Sequence, residues 1–537
     1  MVVPSPRVTR TGWPLALVVA LAALLTYANS IPNGFAFDDL QIIEKNHQLR
    51  FLTNLPRFFR QDYFEPSMRL GLYRPLVVSS YALNMAVLGD GPLGFHVVNV
   101  VLHALNTALL ALLVLRLTRD PWLAAGTGFL FAAHAVHSEA VANVTFGRPE
   151  LLAACFGLLT LHLWIAAERS AGTRAKLSYA ASLLCFGLAL LSKENAVTIL
   201  AVAVLVDWLY TERGERRSTH SLFAALRDGA GRTLGLALVA VALVGVRVWA
   251  LGAQAMPPVP FVDNPLGVLP LGWRLINATL VALRYGGLLL LPVTLCSDYS
   301  YDTIPLVQSF DDPALWLGVV LLLPLFLLFV WSRRHDREIF FGLAFLAVTF
   351  STASNLVVPI GTILGERLLY LPSAGFCMAL TRIVQRLAGR LPGPASRRRA
   401  LLAALIALAT LLHGVRAVLR NPVWRDQHTL ALHDVEIHPR SVKLQTSAGA
   451  AYWDLGRPEL ALAHFDAAIA AVGVTPDRFL NPFQGRVRAL VDLGRWQEAL
   501  ALYEEVVRYG PRNLEVESDL AAAANAARAG QEEPPGP

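Results

Sequence analysis

The sequence is poor in charge: Asp, Glu, Lys and Arg make up 16% of its 537 residues, while hydrophobic residues make up 55%. A soluble protein has about a quarter of its residues charged. The apolar residues instead form blocks close to the ~20 residues that a helix needs to cross about 30 Å of hydrocarbon. The composition therefore excludes an ordinary soluble protein and predicts an all-α, polytopic membrane protein.

Cysteine is also scarce, with four residues and no C-x-x-C pair. This excludes a disulfide framework and makes a zinc site based on cysteine unexpected. The net charge is +7, but the basic residues sit in short clusters between apolar blocks and not on one face interleaved with aromatics. The pattern is typical of the positive-inside rule, so we expect a lipid bilayer and no nucleic acid as a partner.

Hydropathy predicts eleven transmembrane helices. They lie near residues 14–30, 95–115, 121–137, 149–167, 177–191, 195–210, 233–252, 314–331, 339–356, 367–385 and 400–418. The first follows Arg7 and Arg10, as a signal peptide would, but no small-residue cleavage site stands out after it. We therefore interpret it as a signal anchor that begins a membrane domain spanning residues 1–420.

The basic clusters give the orientation. With a cytoplasmic N-terminus, eleven crossings place all of them in the cytoplasm: Arg7/Arg10, Arg116/Arg119, Arg169/Arg174/Lys176, Arg213/Arg216/Arg217, Arg333/Arg334/Arg337 and Arg397/Arg398/Arg399. The apolar segment 272–292 cannot then be a simple crossing. We expect it to be re-entrant, interfacial or a short double pass, with a helix broken near Pro270, Gly272 and the Gly286-Gly287 pair. The first extracytoplasmic loop is 31–94, and the C-terminal domain lies outside.

From about Ser441 the composition changes to alanine-rich amphipathic helices. In two copies, Gly456 and Gly494 are each followed after five residues by alanine and after nine by an aromatic. This spacing resembles the tetratricopeptide repeat. An unrelated pair of helical hairpins is the alternative. We predict a repeat domain over residues 421–529, with the segments 425–440 and 515–530 as caps, and a disordered tail over 530–537.

Asp38 and Asp39 directly follow the first helix and are flanked by aromatic residues. Two adjacent carboxylates above a membrane can be a general base, a metal-ligand pair or a solvated surface. Aromatic flanks raise the pKa of a carboxylate, which suits base catalysis. Asp38 and Asp39 are thus the candidate catalytic residues, and the residues alone leave these alternatives open.

Cations and carboxylates recur at four outside helix ends, which suits binding of an anionic phosphate at the membrane surface. Local ion pairing and snorkelling are the alternatives. The H-x-x-H spacing before Glu139 raises the question of a metal, but no third strong ligand follows, so no metal is expected. The candidate substrate-binding residues are Arg74, His137, Glu139, Arg148, Glu150, Lys193, Glu194, Glu366, Arg367 and Tyr370.

Several of these strings together resemble the transmembrane-and-tetratricopeptide-repeat proteins, which are O-mannosyltransferases of the glycosyltransferase C superfamily. The resemblance covers nearly the whole chain and rests on Asp38-Asp39, Tyr73-Arg74-Pro75-Leu76, Phe95-His96, His134-x-x-His137-x-Glu139, Gly147-Arg148-x-Glu150, Ser192-Lys193-Glu194, Asp298-Tyr299-Ser300-Tyr301 and Glu366-Arg367-x-x-Tyr370.

The resemblance implies a polyprenyl-phosphate sugar donor, normally mannose, and a Ser or Thr hydroxyl of a protein as acceptor. It implies that the first acid, Asp38, deprotonates the acceptor and that the anomeric carbon is inverted. A leaving lipid phosphate needs cations and no nucleotide-metal site, with Arg148, Lys193 and Arg367 as the available candidates. No cofactor is therefore expected besides the donor.

The chain departs from the animal members in having about two repeats where they have long arrays. Its Ala, Arg, Leu and Gly bias resembles bacteria with GC-rich genomes, which predicts the bacterial inner membrane; in a eukaryote the endoplasmic reticulum membrane would be expected. Two other function classes stay open. One is a non-catalytic membrane scaffold whose repeats recruit a partner protein, and the other is a transporter.

Overall fold

The structure is a computed structural model that describes residues 12–64, 70–210, 222–252, 259–471, 473–509, 517, 518 and 521. These residues form helices, turns and loops, with no β-strand among them. Seven helices are long and apolar enough to cross a membrane: Gly12–Ser30, Pro92–Thr118, Val144–Glu168, Gly172–Ser192, Gly229–Leu251, Pro313–His335 and Ala395–Arg425. The predicted all-α membrane fold is confirmed.

Fifteen α-helices make up the membrane domain in the described ranges. In chain order they are α1 Gly12–Tyr27, α2 Leu55–Phe58, α3 Pro75–Leu88, α4 Pro92–Thr118, α5 Pro121–Ala133, α6 Ser138–Ala142, α7 Val144–Glu168, α8 Gly172–Ser192, α9 Thr198–Tyr210, α10 Leu222–Leu251, α11 Leu271–Leu290, α12 Pro313–His335, α13 Arg337–Phe350, α14 Pro372–Arg390 and α15 Ala395–Arg420. A helix lies at each of the eleven predicted spans. The number that cross the bilayer stays a prediction.

The polar side chains of the two predicted sides gather at opposite ends of the helices. On the predicted cytoplasmic side, Gln385 of α14 donates to Asp120 over 2.7 Å, and Arg386 donates to Asp336 over 2.8 Å. The residues predicted to lie outside make their contacts with one another at the other end. We call this the outer end. The helices thus bring distant loops together there, and the candidate site residues lie on or just below it.

Helix α11 corrects the expectation of a broken helix at 272–292. It is continuous over 20 residues, so it is about 30 Å long and too short for a double pass. Pro270 precedes its first residue, where a missing N–H is tolerated, and Gly286 and Gly287 lie inside it without a break. Packing of the buried Tyr285 against the outer end offsets the poor helix propensity of glycine. Whether this helix is interfacial or re-entrant stays a prediction.

Up to residue 509, the described residues form five helices after the membrane domain: α16 Gln427–Ile437, α17 Val442–Asp454, α18 Pro458–Ile469, α19 Asn481–Asp492 and α20 Trp496–Val506. Gly456 and Gly494 turn the chain between hairpin partners with φ of 68° and 71°, in the left-handed region that glycine adopts without strain. A Cβ on Gly485 would lie 2.3 Å from the ring of Phe465, which shows why a small residue stands there. The predicted close meeting of small and aromatic residues therefore exists between two hairpins, and the tetratricopeptide assignment stays a prediction.

Helices α16 and α17 join the repeat hairpins to the membrane domain. Val435, Leu444 and Ala448 are buried in one apolar cluster with Tyr285 and Leu368 of the outer end. The segment 425–440, predicted as a cap, is thus a joint between the two parts. The predicted cap at 515–530 lies outside the described residues except for 517, 518 and 521, and so does the tail over 530–537.

Candidate functional site

The loop that carries Asp38 is held by the start of the repeat region. Gly34 N–H donates to the carbonyl of Arg425 over 2.7 Å, and Phe37 N–H donates to Oε1 of Gln427 over 2.7 Å. Phe37 itself has a φ of 60°, which a bulky residue adopts only when its surroundings impose it. The segment after α15 therefore fixes the backbone immediately before the two carboxylates.

Asp39 is buried and makes the hydrogen bonds of a structural residue. Its Oδ1 accepts from Thr145 N–H over 2.8 Å and its Oδ2 from Ala36 N–H over 3.3 Å. Burial raises the pKa of Asp39 to about 6, against the lowering effect of these hydrogen bonds. Asp39 thus anchors the first loop to the start of α7, and both of its oxygens already have donors.

Asp38 has a different environment. Its side chain is half-buried, and within the described residues no hydrogen bond reaches its carboxylate. Burial raises the pKa of Asp38 to about 6, outweighing the attraction of Lys443 and Arg367. A half-buried carboxylate without a donor, ionised at neutral pH but more basic than usual, can accept a proton from a hydroxyl group.

Arg367 is the predicted cation whose charge acts on Asp38. Its guanidinium pairs with Glu139, and its backbone N–H donates to Oε2 of the same residue over 2.7 Å. The guanidinium also lies 3.9 Å from the centre of the Phe146 ring, which is 5.4 Å from the Phe37 ring. Arg367 is thereby fixed beside the loop that carries Asp38, with 17% of its side chain exposed.

The other cations of the predicted site pair between helix ends and not within them. Arg74 forms a bidentate ion pair with Glu194, in which Nη2 donates to Oε1 over 2.9 Å and Nε donates to Oε2 over 3.3 Å. Lys193 pairs with Glu150. The side chains of Arg74 and Lys193 are buried, and the Arg74 contact holds the pKa of Glu194 at about 2. These pairs tie α3, α7 and α8 together at the outer end. The sequence left open that each cation pairs with the carboxylate at its own helix end, and these cations pair with a carboxylate of another segment instead.

Arg148 is fully buried and faces neutral groups. Its Nε donates to Oδ1 of Asn99 over 2.6 Å and its Nη2 to the carbonyl of Phe95 over 3.0 Å. These contacts join α7 to α4 below the loop of Asp38. Its placement fits a supporting role better than direct contact with a phosphate.

Three further candidates lie in the interior. His137 Nε2 is 2.8 Å from Oγ of Ser373, and the hydroxyl of Tyr370 is 2.9 Å from Nδ1 of His103. Glu366 is buried next to Arg367 in sequence, and burial raises its pKa to about 8. The described residues contain no group of three or more His, Cys, Asp and Glu side chains arranged to hold a metal ion.

The structure also places residues at the site that the sequence reasoning missed. Lys443, on α17, pairs with Asp263 from the segment before α11. Neither residue lies in a recognisable motif, and the sequence around Lys443 predicts an ordinary exposed residue of a repeat helix. A single sequence carries no signal that would bring these two residues to Asp38.

The chain is similar to several known proteins that carry consistent names. Residues 254–332 match the family model described as "Protein O-mannosyl-transferase TMTC, DUF1736". The chain is 29% identical to Protein O-mannosyl-transferase Tmtc3 of Drosophila melanogaster, covering 84% of this chain and 54% of that protein. It is 28% identical to TMTC3 of Mus musculus, over 91% and 54% of the two chains. It therefore spans about half the length of these curated relatives.

Among solved structures, the chain is similar to the archaeal oligosaccharyltransferase AglB from Archaeoglobus fulgidus, in complex with an inhibitory peptide and a dolichol-phosphate. The TM-score is 0.42 and the identity 14%, over 78% of this chain and 56% of that one. A likeness at this level is too weak to bear on function. The sequence matches confirm the predicted resemblance: this chain is similar to the TMTC protein O-mannosyl-transferases over most of its length.

Proposed function

We propose that this chain is a membrane glycosyltransferase that transfers mannose from a polyprenyl-phosphate donor to a Ser or Thr hydroxyl of a protein. The curated names of the relatives support the activity and the protein acceptor. The observation that carries the proposal is the half-buried carboxylate of Asp38, which has no hydrogen-bond donor among the described residues and lies at the outer end of an apolar helical bundle.

The proposed reaction balances with one base and one leaving group. Asp38 accepts the proton of the acceptor hydroxyl, and the hydroxyl oxygen forms a bond with the anomeric carbon from the face opposite the donor phosphate. The bond between that carbon and the phosphate oxygen breaks, and the lipid phosphate leaves with the electron pair, so the configuration is inverted. A positioned general base typically contributes about 10²–10⁴-fold to the rate.

Arg367 is the proposed cation for the leaving phosphate, because it is the predicted cation that acts on Asp38 and is partly exposed. A fixed guanidinium stabilises charge that develops on a phosphate without reorganisation during the reaction. Arg74, Lys193 and Arg148 then hold the outer end in shape. We further propose that this end is extracytoplasmic, as the basic clusters predict, and that the repeat hairpins receive the acceptor protein.

The test is a transfer assay with the purified full chain in lipid vesicles, synthetic polyprenyl-phosphate mannose and a Ser/Thr-containing peptide. Mass spectrometry of the peptide measures the added hexose. Asp38→Asn should lower the rate by at least the ~10²-fold expected for loss of a base. Asp90→Asn is the matched control, because Asp90 is an exposed acid of the same loop that pairs with Arg50 at the surface.

The scaffold alternative predicts a different outcome. A scaffold transfers no sugar, so the wild-type chain itself would be inactive with every donor tested, and Asp38→Asn would leave partner binding unchanged. Equal transfer by wild type and Asp38→Asn would contradict the assignment of Asp38 as the base.

A further inference from the structure

The start of helix α17 in the repeat region contacts the outer end of the membrane domain. Val442 N–H donates to the carbonyl of Tyr301 over 2.8 Å, and Asp302 N–H donates to the carbonyl of Arg440 over 3.4 Å. Val442 is fully buried. Lys443 lies in the chain between Val442 and Leu444, which is also buried. The backbone of Lys443 is therefore held against the membrane domain.

The ammonium group of Lys443 forms an ion pair with one carboxylate of the membrane domain, and its charge acts on two others. It pairs with Asp263, and its charge also interacts with Asp298 and Asp38. Its side chain keeps 32% exposure and that of Asp263 keeps 23%, so the group is at the rim of the site and not sealed in the core. These carboxylates come from three segments of the membrane domain, and the lysine whose charge acts on all of them comes from the repeat region.

We propose that Lys443 is a positioning residue of the candidate site, through which the repeat domain supplies a positive charge that holds Asp38 in its ionised, proton-accepting form. The inference rests on the proposed role of Asp38 as the base. It means that the repeats belong to the catalytic unit and do more than recruit a substrate.

The charges around Asp38 give the direction of the effect. Lys443 and Arg367 favour its carboxylate, and Asp263 disfavours it. Asp39 is its chain neighbour, but both oxygens of Asp39 accept hydrogen bonds from backbone N–H groups. Arg367 is itself neutralised in part by its ion pair with Glu139. Removing Lys443 therefore leaves Asp38 with burial, Asp263 and one half-compensated cation, so it should hold its proton to a higher pH.

The same geometry changes how the repeats can be tested. Deleting residues 440–537 would remove Lys443 together with any groove that binds an acceptor. Loss of transfer after such a truncation would therefore fit an enzyme as well as a scaffold, and a point substitution is needed.

The test uses the full chain in lipid vesicles and measures the protonation of Asp38 directly. A hydrophobic carbodiimide adds to protonated carboxyl groups, and peptide mass spectrometry, with fragment ions that separate Asp38 from Asp39, gives the extent of labelling as the pH is varied. We expect Lys443→Gln to raise the midpoint of this titration by on the order of one pH unit. The acid limb of the transfer rate should move in the same direction.

Two control variants, and one variant in which the midpoint should move the other way, accompany this measurement. Lys443→Arg keeps the charge and should restore the wild-type midpoint. Arg440→Gln removes a neighbouring cation that pairs with Asp302 at the same junction and should leave the midpoint unchanged. Asp263→Asn should lower the midpoint. Exposure of the site to water would also lower it, because burial is what raises the pKa of Asp38, so the rise expected in Lys443→Gln is the change that unfolding cannot produce.

The outcomes separate this inference from the proposed function. An unchanged midpoint in Lys443→Gln, with the protein still folded by its melting transition, would overturn the role of Lys443 even if wild type transfers mannose. If the midpoint shifts in Lys443→Gln but the wild type transfers no sugar, the role of Lys443 in the charge state of Asp38 stands and the proposed reaction is overturned.

Discussion

Asp38→Asn should make the protein more stable at neutral pH while it removes activity. Asparagine has the shape of aspartic acid without the charge, and the Asp38 carboxylate accepts no hydrogen bond from the described residues that the change would break. Its raised pKa means that the folded protein binds a proton more tightly than the unfolded chain. Such a group stabilises the fold at low pH, and the contribution is lost as the pH rises from about 4 to above 6.

The magnitude follows from the size of the shift. Burial raises the pKa of Asp38 from the ordinary 3.8 to about 6. Above both values this difference costs on the order of 3 kcal/mol in the free energy of unfolding, and near pH 5 roughly half of that cost remains. Asp38→Asn avoids the cost, so its advantage over wild type should be largest at about pH 7.5 and should shrink as the pH falls.

The assay is thermal unfolding of the purified proteins in lipid nanodiscs at about pH 7.5 and about pH 5. Asp90→Asn serves again as the control, since an exposed ion pair contributes only about 0–1 kcal/mol. A melting temperature of Asp38→Asn at or below that of wild type near neutral pH would refute the reasoning. It would mean that the carboxylate is not held in a costly environment, and the case for a tuned base would lose its physical basis.

Four further measurements test the proposed base and the structure around it. Transfer by wild type should rise with pH through about 6, as Asp38 loses its proton, and a rate that is flat between about pH 5 and pH 7 would contradict this. Asp39→Ala should lower the free energy of unfolding by about 1–3 kcal/mol because the buried Thr145 N–H loses its acceptor; chemical denaturation that shows no change would count against it. Asp434→Asn should cost about 3–5 kcal/mol because it leaves Arg420 charged and buried, and an unaltered melting temperature would argue against that pair. Gly485→Ala should cost about 1–3 kcal/mol by overpacking against an aromatic ring, seen as faster limited proteolysis of the repeat hairpins; resistance equal to wild type would show that the ring can move aside.

The sequence by itself determined the class of fold and predicted the resemblance to a known family. Apolar blocks of about membrane-spanning length have no stable place in a soluble protein, so hydropathy alone predicted the helices of the membrane domain. The spacing after Gly456 and Gly494 likewise predicted two helical hairpins, because small residues must stand where helices meet closely. The adjacent acids Asp38 and Asp39 were found because they directly follow a membrane helix.

Only the tertiary structure decided which groups meet. Sequence spacing could not tell Asp38 from Asp39, because the difference lies in the Thr145 N–H that closes on Asp39 from more than a hundred residues away. Nor could it overturn the expectation of a broken helix at 272–292, since the residues that contact Tyr285 of α11 come from distant segments such as the one that contains Gly365. The ion pair of Lys443 with Asp263 joins segments 180 residues apart and follows no local pattern. Local sequence fixes periodicity and polarity, whereas the partners of a charge depend on how the whole chain packs.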